Sequence, residues 1–412
     1  VFHGWRVVAA CFVIAAVAWG LGTFGASVYL QAVTAARGWP VADVAFAITL
    51  FYLVSALTQR SVGRGIDRWG PRPVLLLGAV SMTLGVAAIG QVTVRWQLYP
   101  CFVLIGLGWA ALSTTGIAAT VAPWFERHQG RSMALAIMGA SVGAIIGVPA
   151  LQFAIRRFGF DLGLAVVGIV AAAVLLPLIA RVLRFRRPEE IGLRRDGAAS
   201  LAGLASAPLA PPIATAANRP LLLWSAAAAF ALGLAMQIGF ITHHVTLAEP
   251  LLGTAGAGLL VSATGGSAFV GRLILARIVD GVAVRKLACL VMIAQTGALL
   301  ALALWPTVPV LIGASLVYGY GIGHITTLGP IVVRREFGAA AFGATYGLAA
   351  SAIQLTSAFG PAVIGVLRDS FGGYRPGLAI ASGVTLLGCA ILFAGGRLAM
   401  RLPSVEVSAK NR

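Results

Sequence analysis

Apolar residues run through this chain in long blocks, and the polar residues fall mostly between them. Twelve runs stand out, at roughly 7–31, 41–60, 73–92, 98–121, 132–155, 161–181, 220–245, 254–275, 286–305, 308–332, 340–366 and 376–398. A helix rises 1.5 Å per residue, so about 20 apolar residues cross a hydrocarbon core of about 30 Å. Inside lipid every backbone polar group must be satisfied within its own segment, which makes each run a helix. The pattern predicts an all-α membrane protein of twelve transmembrane helices in two six-helix bundles. The bundles span 1–181 and 220–402, with a linker at 182–219 and a tail at 403–412.

The polar residues that end these runs repeat. Gly63, Asp67 and Arg72 close the second run, and Ala276, Asp280 and Arg285 close the eighth with the same offsets. Pro123 and Arg127 answer Pro330 and Arg334. Phe158-Gly159 leading to Gly163-Leu164-Ala165 answers Phe371-Gly372 leading to Gly377-Leu378-Ala379. The offset stays near 210 residues, which points to a duplicated half. Paired bundles related in this way build many secondary transporters, with the substrate site at the interface of the repeats.

Composition agrees with a lipid solvent: 59% of residues are hydrophobic and 10% charged, with a mean hydropathy of +0.94. A soluble domain carries about 25% charged residues. The net charge of +18 would suit a nucleic-acid partner, but its placement argues against one. Arg37, Arg95, Arg156, Arg157, Arg368 and Arg375 fall in the loops of one side. Every other Lys or Arg except Arg272 falls on the side of the termini. That asymmetry predicts cytoplasmic N- and C-termini and a multi-pass plasma (inner) membrane protein. The Arg181–Arg187 cluster is expected at anionic lipid headgroups. Cys11, Cys101, Cys289 and Cys389 lie inside apolar runs without metal-ligand spacing, so no metal or cofactor is expected.

Few ionisable groups remain for the membrane interior. The acidic residues near the bundles, among them Asp43, Asp67, Glu126, Glu249, Asp280 and Glu336, sit at helix ends. Arg272 lies eight residues before Asp280, so it sits about 12 Å into the bilayer. A central Arg costs about 2.5–3.5 kcal/mol on insertion scales, and lipid satisfies none of its donors. A wet cavity with an anionic ligand suits it, since a guanidinium grips a carboxylate bidentately; snorkelling or bonding to backbone carbonyls is the structural alternative. Tyr29, Gln31, Tyr52, Gln237, His243, His244, Tyr318, Tyr320, His324 and Gln354 are the further polar groups at cavity depth. Each alone also suits a helix-to-helix hydrogen bond; the imidazole of His324 could carry a proton or bond a carboxylate. Gly139, Gly143 and Gly147 are spaced by four, as close helix packing requires.

Gly63-Arg64-Gly65-Ile66-Asp67-Arg68-Trp69-Gly70-Pro71-Arg72 resembles the helix 2–3 loop signature of the major facilitator superfamily. Trp124-Phe125-Glu126-Arg127-His128-Gln129-Gly130-Arg131, with Gly139 and Gly143 beyond it, resembles the approach to helix 5 in its monocarboxylate transporter and oxalate–formate antiporter branch. Pro188-Glu189-Glu190-Ile191-Gly192-Leu193 followed by Asp196-Gly197 resembles that branch's segment after helix 6, and Phe359-Gly360-Pro361 with Gly365, Asp369 and Tyr374 its helix 11 ending. The resemblance implies that Gly63, Asp67, Arg68 and Arg72, with Asp280 and Arg285 in the second half and Arg127 and Arg131 before helix 5, act in gating. It also implies that Arg272 binds a substrate carboxylate. Two departures matter. The Asp that animal-type members carry four residues before that Arg is Ala268 here, so their proton-coupling scheme does not transfer. The helix 11 Lys of the oxalate antiporter has no counterpart, and Gln354 is the main polar group there, which favours a monocarboxylate over a dianion.

The expectation is a secondary active or facilitative transporter of a small organic anion, a monocarboxylate held by Arg272. Tyr29, Tyr318, His324 and Gln354 would shape the pocket. Protons are an open partner, membrane lipid surrounds the protein, and a monomer without nucleic acid is expected. Proton-coupled drug efflux is the first alternative, although Gly143 is followed by Ala144 rather than Pro and no buried acid stands out. A transporter-like sensor without flux is the second. No Ser/His/Asp, metal-binding or paired-carboxylate constellation points to an enzyme.

Overall fold

The computed structural model of the protein describes residues 2–126, 128–197 and 220–401. Arg127, the linker from 198 to 219 and the tail at 403–412 lie outside the described residues, as does the side chain of Asp280. Among the described residues all regular structure is helical. Eleven helical stretches are long and apolar enough to cross a membrane. Ten are single spans: α1 (His3–Arg37), α2 (Val41–Trp69), α3 (Pro71–Ile89), α4 (Arg95–Trp124), α5 (Arg131–Phe158), α6 (Phe160–Val182), α9 (Val284–Leu304), α10 (Val308–Phe337), α11 (Ala349–Phe371) and α12 (Tyr374–Leu398). The remaining stretch, Pro220–Ile278, has 59 residues, far more than one crossing uses. It divides at Gly253, whose φ of 67° and ψ of 171° lie outside the helical region, into α7 (220–252) and α8 (254–278). Twelve spans result, six on each side of the linker, as the run pattern predicts.

The surface of these helices fits a lipid solvent. Leu57, Leu77, Leu259, Leu290, Ile169 and Val170 are each more than half exposed. Large apolar side chains exposed in such numbers belong in hydrocarbon rather than water.

The chain folds as two compact units. The first gathers α1–α6, the segment after α6 and residues Ile241–Gly266, which are the second part of α7 and the first part of α8. The second holds α7 up to Phe240 and everything described from Ser267 through α12. In the first unit α1 packs on α5, α3 on α4 and α6, and α2 on α4. The α1–α5 seam shows why small residues occur at spacing four. A Cβ on Gly139 would strike the Phe12 carbonyl and one on Gly143 the Ala16 carbonyl, so the backbones touch. In the same stretch α5 carries a π-helical turn, Gly143–Gly147. The second unit has its core around Leu223, Phe230, Met292, Leu328, Val332 and Leu392.

Candidate functional site

In the second unit α8 and α10 meet through small residues. A Cβ on Gly323 would strike the Ala268 carbonyl and come within 3.0 Å of the Arg272 nitrogen. A Cβ on Gly271 would lie 2.6 Å from the Tyr320 carbonyl and 3.1 Å from His324 Nδ1. This contact sets the backbone of Arg272 against the helical turn that carries His324. Ser267 Oγ donates to the Leu316 carbonyl at 2.7 Å and ties the same two helices one turn away. Arg272 is partly buried and His324 fully so.

The His324 ring is held from one side. Its Nδ1 stands 3.0 Å from the Tyr320 carbonyl, which can only accept, so Nδ1 carries a proton. Nε2 is buried with no partner, as is the hydroxyl of Tyr318. Buried polar atoms are nearly always paired, and unpaired ones in an apolar setting are costly. Tyr318 lies with its ring centroid 4.4 Å from that of Phe240 on α7. Beside it Gln295 of α9 reaches Gln237 at 3.4 Å and the Tyr318 carbonyl at 3.5 Å. Sequence reasoning passed over Gln295, although an amide in an otherwise apolar run was a legible signal. Gln354 on α11 is exposed rather than buried with this group.

Tyr29 belongs to the first unit. It is buried against Phe102, 6.2 Å between ring centroids, and its hydroxyl too has no partner. Tyr52 is similar in kind: its hydroxyl is buried with no partner.

The signature residues sit at the helix ends on the side of the N-terminus. Asp67, Arg68 and Arg72 are exposed, and no ion pair among the described residues includes them. A Cβ on Gly63 would meet open space. Trp124 and Phe125 are buried beneath the start of α1, where Phe2, His3 and Trp5 pack on them. Arg131 lies 6.0 Å over the Trp5 ring. Arg186 donates to the Arg68 and Trp69 carbonyls at 3.3 and 2.6 Å, capping α2 beside Gly70. Gly70 has a φ of 86°, and a side chain there would collide with the Arg186 guanidinium. Asp196 accepts from the backbone nitrogens of Glu126 and His128 at 2.9 and 3.3 Å. The segment after α6 therefore holds both signature loops of this unit. In the second unit Arg285 pairs with Glu336 through two bonds of 2.7 and 2.9 Å and also reaches the Leu222 and Leu392 carbonyls. Glu336 as its partner was not visible in sequence, since the two are 51 residues apart.

Comparison with known proteins places this arrangement. The chain is 28% identical over 415 aligned positions to monocarboxylate transporter 11 of Homo sapiens, covering 93% of this chain and 81% of that one. It is 26% identical over 399 positions to monocarboxylate transporter 13 of Bos taurus, covering 94% and 88%. A crystal structure of a mutant of the nucleoside transporter NupG shares the fold with a TM-score of 0.69 at 14% identity, covering 97% of this chain and 99% of that one. The family model for the Major Facilitator Superfamily matches residues 9–280, and with twelve apolar helices and the repeated signature the chain belongs to that superfamily of membrane transporters.

Proposed function

We propose that the protein carries a small organic anion, a monocarboxylate, across the plasma membrane by alternating access, with both termini in the cytoplasm. The observation that carries the reading is Arg272, the cation deepest in the α8 span, set against the turn of α10 that bears His324. A guanidinium offers two parallel N–H donors to one carboxylate. The lone pair on His324 Nε2 and the Tyr318 hydroxyl are unpaired groups in the same unit, able to take a proton or a hydroxyl of the cargo. The similarity to monocarboxylate transporters supports this cargo class. The cation on α11, Arg368, lies at the end of the helix beside Asp369, so a dianion would have one anchor only. We read the signature Asp and Arg residues as gating groups, and the protein as a monomer of two pseudo-symmetric bundles.

The test is uptake of labelled lactate, pyruvate, formate and longer carboxylates into proteoliposomes. Arg272→Gln is expected to reduce uptake to background while the purified protein keeps its elution volume and melting temperature. Uptake at the parent rate in that variant removes the carboxylate assignment.

A further inference from the structure

Residues Ile241–Gly266 come from the second half of the repeat, yet they fold into the first unit, against α1 and α5. Two hydrogen bonds tie them there, and a third closes the hairpin on itself. Gln31 Nε2 on α1 donates to Glu249 Oε1 near the end of α7 at 2.7 Å, and Thr254 Oγ1 at the start of α8 donates to the same oxygen at 2.8 Å. Ser262 Oγ on α8 donates at 2.9 Å to the carbonyl of Ile145, which lies in the π-helical turn of α5. A π turn disturbs the regular bonding of carbonyls to nitrogens, and the hydroxyl supplies a partner from outside the helix. Between these, Gly258 is pressed on the buried Gln152 side chain, with no room for a Cβ.

Alternating access moves one half of the repeat against the other. Contacts joining α1 and α5 to the α7–α8 hairpin cross the repeat boundary, so they must part when the cavity opens to the face away from the termini. The geometry points to Glu249 as the latch of that seam: one carboxylate oxygen, shared by a donor from α1 and a donor from α8, holds the hairpin down. The oxygen acts as an acceptor, so an amide in its place serves as well. The proposal depends on membership of the transporter family and not on the nature of the cargo.

Thr246, one turn before Glu249 on α7 and partly buried, supplies a probe position. The four native cysteines are buried. In a Thr246→Cys background, a membrane-impermeant maleimide is applied to the full-length protein from the face away from the termini, without substrate. Glu249→Ala and Gln31→Ala are each expected to raise the labelling rate about tenfold, the order set by losing a hydrogen bond to a charged group. Glu249→Gln is expected to label at the parent rate. Labelling of folded Gln31→Ala at the parent rate overturns the latch, even if Glu249→Ala does not fold. Labelling of Glu249→Gln as fast as Glu249→Ala overturns the shared-acceptor assignment. Because no cargo is present, neither result depends on whether Arg272→Gln transports.

Discussion

At the scale of single residues, the chemistry of the candidate site is decided by which polar atoms are already bonded. His324 has committed Nδ1 to the Tyr320 carbonyl, so Nε2 is its remaining valence. A neutral imidazole held this way accepts; once protonated it donates to an anion. If it takes a proton with the cargo, an inward proton gradient accelerates uptake in the parent protein. His324→Ala is then expected to lose that acceleration while keeping exchange at equal pH. A gradient response of parent size in the variant removes the proton role. Arg285 is the opposite case. Its donors are engaged by Glu336 and by carbonyls of two helices, so it behaves as a joint within its unit. The sequence placed Arg285 in view, but only tertiary contacts showed which groups it bonds within its unit.

At the scale of elements, the helices touch wherever side chains vanish. The α1–α5 seam joins backbone to backbone at Gly139 and Gly143, and the α8–α10 seam does so at Gly271 and Gly323. Gly143→Val is expected to destabilise the protein by about 1–3 kcal/mol, as overpacked cores do, read as a fall in melting temperature in detergent. Gly63→Ala is the contrast. It lies inside α2 with open space around its Cβ, so it should be neutral or stabilising by up to about 1 kcal/mol. A loss of transport in that variant at unchanged stability would then report gating rather than packing. The spacing of Gly139, Gly143 and Gly147 announced a close helix neighbour in the sequence. Which helix it was, and that α5 would carry a π turn there, depended on the partner's shape.

At the scale of the whole molecule, the loops decide orientation. Arginines crowd the side of the termini, and the positive-inside bias predicts that side to be cytoplasmic. A cysteine at Ala36, exposed at the end of α1, is expected to react with an impermeant maleimide on intact cells, whereas one at Glu189, exposed after α6, is expected to stay unlabelled. The reverse pattern would invert the topology. The opposite face carries its own framework in the first unit. Arg37 bonds Asp161 at 2.9 Å and the Gly90 carbonyl at 3.1 Å, and Arg95 bonds Asp43 at 2.8 Å, so the three loops there are linked. As exposed pairs these contribute about 1 kcal/mol or less each.

The twelve spans, the repeat and the family were legible in the sequence alone, because apolar run length and the cost of an unsatisfied backbone in lipid leave one kind of solution. The same logic singled out Arg272, a charge too costly to bury without a purpose. Tertiary structure decided everything that joins residues distant in the chain. It gave Arg285 to Glu336, drew Arg186 onto the end of α2, and set Glu249 between Gln31 and Thr254. Periodicity records which face of a helix is apolar, but a hydrogen bond needs two groups within about 3 Å, and only the packing of helix on helix brings them there.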